Sequence, residues 1–117
     1  MIDNIEKFRG IFPAFYAFYN ERGGISRERT MKAAKWMASK GINGLYLTGS
    51  SGEGMLLSVD ERKKVYDSVL DAVGGELTII AHVAANTTAD SVELAPLYPK
   101  SCNIKFKFFL DDPVTNK

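Results

Sequence analysis

Apolar and polar positions along the chain alternate between two periods. Ile11-Phe12-Pro13-Ala14-Phe15-Tyr16-Ala17-Phe18 is an apolar, aromatic run of strand length, and Asn20-Glu21-Arg22-Gly23-Gly24 breaks it as a turn. Met31, Ala34, Met37 and Ala38 then recur at helical spacing. They predict a helix from an N-cap at Ser26 through Lys40, with Gly41 as its stop. Gly44-Leu45-Tyr46-Leu47-Thr48 predicts a buried strand, ended by Gly49-Ser50-Ser51-Gly52. Ser58-Val59-Asp60-Glu61 has the form of a capping box, in which a hydroxyl and a carboxylate three residues on satisfy orphan amides at a helix start. Val65, Val69, Ala72 and Val73 supply the apolar face of that helix, and Gly74-Gly75 terminates it. Leu77 to Val83 predicts a third strand. Thr87 or Thr88 caps a third helix through about Leu97, where Pro96 and Pro99 prevent continuation.

The order is therefore β-α-β-α-β-α with short connections. Continuous apolar strands separated by amphipathic helices imply an α/β fold with a parallel sheet covered by helices. Two architectures satisfy that order, an open doubly wound sheet and a barrel of eight βα units. Such a barrel needs roughly 250 residues, whereas this chain has 117. Length alone favours the open sheet.

Composition narrows the function classes more than the fold. Fifteen basic against 14 acidic side chains give a net charge of +1, too small a surplus of Lys and Arg for a general nucleic-acid binder. No run of about 18 apolar residues predicts a membrane span. Met1-Ile2-Asp3-Asn4-Ile5-Glu6-Lys7 lacks the basic-then-apolar pattern of a secretory signal. The single cysteine, Cys102, cannot form an intramolecular disulfide, which fits a reducing compartment. These features predict a soluble, cytoplasmic protein with neither nucleic acid nor membrane as partner.

Candidate chemistry is concentrated in Gly49-Ser50-Ser51-Gly52-Glu53-Gly54, between a strand and a capped helix. Loops at the carboxyl ends of parallel strands are where such folds bind ligands. Two adjacent hydroxyls flanked by glycines can offer O–H and backbone N–H donors to one small anion, a carboxylate or a phosphate. The same residues also make an ordinary glycine-rich turn, and spacing leaves both readings open. Sharper motifs fail. No Gly-Lys-Ser or Gly-Lys-Thr completes a P-loop, and Glu53 stands where a nucleophile elbow needs its last glycine. A Ser–His hydrolase would have to use His82, the sole histidine, which falls within an apolar strand and reads as structural or pocket-lining. A dinucleotide fingerprint has no match after the first strand.

Longer stretches carry a resemblance. Gly10-Ile11-Phe12-Pro13-Ala14, the segment Gly41 to Gly54, Leu57-Ser58-Val59-Asp60-Glu61-Arg62, and Ile79-Ile80-Ala81-His82-Val83 with Asn86-Thr87-Thr88-Ala89 and Glu93-Leu94-Ala95 follow one another in order. From about residue 9 to about residue 95 they resemble the Schiff-base aldolases of the N-acetylneuraminate lyase and dihydrodipicolinate synthase family. Ser50-Ser51, Tyr46 and Ala81-His82-Val83 are similar to the sialic-acid lyase branch. The synthase branch more often has paired threonines in the loop and glycine in place of His82. Ser51 stands where many lyases have threonine and keeps the hydroxyl.

The resemblance implies the N-terminal three or so βα units of a TIM (β/α)8 barrel, over 1–97, followed by a divergent tail over 98–117. It implies aldol cleavage of sialic acid to pyruvate and N-acetylmannosamine through a lysine iminium, with no metal or organic cofactor. Dihydrodipicolinate synthase chemistry is the alternative; a non-catalytic interaction fragment is another. By match to the family motif, Ser50 and Ser51 would hold the carboxylate of the small-molecule substrate, pyruvate or sialic acid. Gly49, Gly52 and Glu53 would shape the loop. The family's Schiff-base lysine and proton-shuttle tyrosine fall beyond the matched region, so no catalytic residue is assigned and the chain alone is expected to be inactive. The loss of resemblance after Ala95 is expected to reflect a truncated or frame-shifted coding sequence, with a cropped chain or a divergent ending as alternatives. The family's homotetramers rest on later helices, so the resemblance does not extend that assembly to this chain.

The tail offers no evident replacement. Ile104-Lys105-Phe106-Lys107-Phe108 alternates as a strand with both lysines on one face, the usual pattern of a charged sheet edge. A Schiff-base lysine needs burial that depresses its pKa. Lys32, Lys35, Lys63 and Lys64 read as solvated helix faces, and Tyr98 matches no catalytic tyrosine. An unclosed barrel with Phe106, Phe108, Phe109 and Leu110 in its tail is expected to self-associate or fold only in part.

Overall fold

The computed structural model describes residues 5–94 and 104–107. Expectations concerning the helix end near Leu97, Tyr98, Cys102 and Phe108 to Leu110 lie outside the described residues. Among the described residues, strands β1 (Gly44–Leu47), β2 (Thr78–His82) and β3 (Ile104–Lys107) form one parallel sheet in chain order. Gly44 to Leu47 stand opposite Thr78 to Ala81, and Ile79 to His82 stand opposite Ile104 to Lys107. Sequential order without a reversal is how successive units of a barrel pair, whereas a doubly wound sheet reverses at a switch point. The alternating stretch from Ile104 is thus a strand, and it takes the edge position after β2.

The strand expected over Ile11–Phe18 does not form as such. An extended segment runs parallel to β1 instead, with one isolated bridge between Ala14 and Tyr46. Gly44 N–H donates to the Ile11 carbonyl at 3.3 Å, Tyr46 N–H to Pro13 at 3.0 Å, and Phe15 N–H to Tyr46 at 2.9 Å. Joining Phe12 to Gly44 in the same ladder would need an N–H on residue 13, and proline has none. The turn after this segment is as expected: Asn20 Oδ1 accepts from the Arg22 and Gly24 amides at 2.8 and 3.1 Å.

Helix α1 spans Arg27–Ala38, and Ser26 Oγ accepts from the Arg29 amide at 3.1 Å. The helix stops two residues short of Lys40, and Gly41 follows with φ +80°. Thr30 and Ala34 are buried, while Trp36 is 62% exposed beneath the Lys40 ammonium, 4.8 Å from the ring centroid. Helix α2 spans Val59–Val73 behind the complete capping box. Glu61 N–H donates to Ser58 Oγ at 3.1 Å, and Ser58 N–H donates to Glu61 Oε1 at 2.8 Å. Helix α3 spans Thr88–Leu94, and Thr87 Oγ1 accepts from the Asp90 amide at 3.2 Å. Lys32, Lys35 and Lys64 are exposed, whereas Lys63 is half-buried and pairs with Glu93 at 2.9 Å. That hydrogen bond raises the Lys63 pKa.

Strand alternation separates the two faces of the sheet. Leu45, Leu47, Ile79 and Ala81 are buried in one core with Phe15, Ala34, Val65, Val69 and Val73. Tyr46 and Ile80, register partners on the opposite face, are only half-buried. Among the described residues the helix-covered face is a finished core and the other is not.

Candidate functional site

The carboxyl ends of β1 and β2 open onto a cavity of about 340 Å³, with Thr48, Gly49 and Ser50 on one wall and His82, Asn86 and Thr88 among the residues of the other. Ser50 is exposed and lines this cavity. Ser51 is also exposed but does not line it. The loop is folded tightly: Glu53 N–H donates to the Ser50 carbonyl at 3.1 Å, and Gly54 N–H to the Gly49 carbonyl at 3.0 Å. Two of its glycines sit where no side chain fits. A Cβ on Gly52 would come within 2.7 Å of the Phe15 carbonyl oxygen, and one on Gly54 within 2.0 Å of the Thr48 carbonyl oxygen.

Two residues with side chains adopt left-handed backbone here, Thr48 with φ 54° and Glu53 with φ 56°. For a β-branched residue such as Thr48 this conformation costs roughly 1–3 kcal/mol and persists only where the surroundings hold it. Each is held by side-chain bonds. Glu53 Oε1 accepts from the Tyr19 hydroxyl at 2.7 Å. That hydrogen bond, aided by burial and the Glu53 charge, pushes the Tyr19 pKa up to about 12.

Thr48 and His82 hold each other reciprocally. Thr48 Oγ1 donates to the His82 carbonyl at 2.8 Å, and His82 Nδ1 lies 3.0 Å from the Thr48 carbonyl. A carbonyl only accepts, so that partner assigns the proton to Nδ1. Tyr66 O–H donates to the same His82 carbonyl at 2.6 Å and lies 2.9 Å from Thr48 Oγ1. Arg62 Nη2 also reaches the His82 carbonyl, and Nη1 donates to Ala84 at 2.6 Å. Arg62 and Tyr66 are 2% and 0% exposed, and burial raises the Tyr66 pKa. A charged donor bound to buried carbonyls contributes about 1.5–3 kcal/mol per bond, so Arg62 is a structural tie of the first importance. The Tyr46 ring centroid lies 5.8 Å from that of His82, and desolvation raises the Tyr46 pKa.

His82 is therefore buried within its strand and also lines the cavity, as its place in the apolar run suggested. Sequence reasoning passed over Thr48, Arg62 and Tyr66. Arg62 did leave a signal: it falls on the Val65–Val69–Val73 stripe of α2, where an outward-facing charge has no place. Among the described residues no three His, Cys, Asp or Glu side chains gather as a metal site. Nor is any helix there long and apolar enough to cross a membrane.

Comparison with known proteins bears on the family and the fold. The Dihydrodipicolinate synthetase family model matches residues 7–101. The chain is 49% identical over 92 residues to an N-acetylneuraminate lyase of Mediterraneibacter gnavus, covering 79% of this chain and 29% of that protein. It is 34% identical over 73 residues to a 4-hydroxy-tetrahydrodipicolinate synthase of Symbiobacterium thermophilum, covering 62% of this chain and 25% of that one. The wild-type sialic acid aldolase of Ruminococcus gnavus superposes with a TM-score of 0.84 at 43% identity, covering 88% of this chain and 34% of that chain. The chain thus spans about a third or less of the proteins it matches, and its fold is that of the N-terminal part of their TIM barrels.

Proposed function

The chain belongs to the dihydrodipicolinate synthetase family, and from that premise we propose that it carries the carboxylate-holding loop of an N-acetylneuraminate lyase-type aldolase. Ser50 from the cavity wall, and Ser51 by turning in from beside it, hold the carboxylate of an α-keto acid such as pyruvate, with Gly49, Gly52 and Glu53 shaping the loop around it. The observation that carries this reading is the position of Ser50, on the wall of a cavity at the carboxyl ends of parallel strands. The relative with 49% identity is a lyase, and the buried His82 beside Tyr46 accords with that branch.

In the lyase reaction a lysine amine condenses with the keto carbon of the substrate, water leaves, and the iminium draws electrons from the breaking aldol bond. By the resemblance, the lysine and tyrosine of that step fall beyond the matched region. We read the chain as a binder of the acid that does not by itself turn sialic acid over, with no metal or organic cofactor.

Borohydride reduction in the presence of pyruvate, read by intact mass, tests the division. The expected result is no pyruvate-dependent adduct, while amide shifts at Ser50 and Ser51 follow a pyruvate titration. An irreversible adduct mapped to Lys105 or Lys107 would overturn the first half; unmoved amides would overturn the second.

A further inference from the structure

We propose that Thr48 and Tyr66 are positioning residues that set the Ser50–Gly54 loop against the end of β2, and so tune its grip on the acid. The inference rests on the carboxylate-binding reading for its ligand but not for its structural content. Thr48 is the last residue before the loop, and its left-handed backbone turns the chain from the strand direction into Gly49 and Ser50. Its hydroxyl and carbonyl are both engaged by His82, which lies 34 residues away. The Tyr66 hydroxyl, carried on α2, lies 2.9 Å from Thr48 Oγ1 and donates to the His82 carbonyl.

Both walls of the cavity are thus fastened at one point. Thr48 and His82 line the cavity themselves, so a change in their mutual bond alters the spacing between Ser50 and the far wall. Ordinary packing would be served equally by valine at 48 and phenylalanine at 66, which keep the shape. Only the hydroxyls distinguish those pairs, so these substitutions remove the hydroxyl bonds of the clasp and leave the His82 Nδ1 bond to the Thr48 carbonyl in place. Buried polar networks of this kind specify one arrangement among several apolar alternatives.

The test compares Thr48→Val, Thr48→Ser and Tyr66→Phe in the full chain by hydrogen exchange. The reporters are the bonded amides of Glu53 and Gly54, with those of β2 and α2 as reference. A clasp predicts that Thr48→Val speeds exchange at Glu53 and Gly54 by about tenfold more than in the reference elements. Thr48→Ser should restore wild-type rates, and Tyr66→Phe should fall between. Uniform acceleration, or none, would show packing alone and overturn the proposal. Should Thr48→Val fail to fold, the comparison of Tyr66→Phe with wild type decides by the same criterion. A pyruvate titration of each variant is the second arm. Weaker binding in Thr48→Val, recovered in Thr48→Ser, supports the tuning. Failure of wild type to respond to pyruvate would defeat the binding reading while the exchange rates still decide the clasp.

Discussion

The two connections that wall the cavity are built on opposite principles. Between β1 and α2 the chain takes two left-handed turns with side chains, packs glycines against carbonyl oxygens, and is held by bonds from Tyr19 and His82. Between β2 and α3 it passes through buried Val83 and Ala84 to a helix cap at Thr87, and no residue there has positive φ. Bonds from α2 reach both, since Arg62 donates to the Ala84 carbonyl of the second at 2.6 Å, but only the first is bent into left-handed backbone. Strain in one wall beside a relaxed second wall means that the first keeps its conformation only while its surroundings hold it.

Substitutions can break that contrast. The largest effect is expected from Gly54→Ala, whose added methyl meets the Thr48 carbonyl oxygen; a loss of about 3 kcal/mol, read by urea denaturation, follows from overpacking against backbone that cannot yield. Thr87→Ala in the other connection should cost about 1 kcal/mol, the ordinary value of an N-cap, by the same measurement. Equal losses at the two positions would erase the distinction between a strained wall and a relaxed one.

The smallest effect sharpens the contrast through pH. Tyr19 keeps its proton more firmly when folded, because its hydroxyl donates to Glu53. Its contribution is therefore complete below pH 10 and is lost as pH rises toward about 12. Urea midpoints of wild type and Tyr19→Phe should differ at neutral pH and converge over that range. A constant difference would mean that the hydroxyl does not hold Glu53.

Local chemistry explains which of these features were legible in the sequence. The Ser26 cap and the Ser58–Glu61 box were readable because the cap and its amide lie three residues apart. Apolar runs located β1 and β2 for the same reason, since burial of Leu45, Leu47, Ile79 and Ala81 needs only alternation. The strand over Ile11–Phe18 was over-read: apolar content there is strand-like, but one missing donor at Pro13 breaks its ladder. The Ser50 loop stood out by its glycines. Its clasp did not, because Thr48 reads as the last residue of a strand, and its partners Tyr66 and His82 come from two later elements. Arg62 was hidden by the ordinary assumption that charge faces water, which its burial contradicts.

The solitary indole has a practical consequence. Trp36 is the only tryptophan, and it stands 62% exposed on α1 beside Lys40, apart from the residues that line the cavity. Its surroundings are already largely aqueous, so its fluorescence has little further red shift to gain when the chain unfolds. Tryptophan emission from this protein is a local gauge of one helix surface, and the cavity is spectroscopically dark to it.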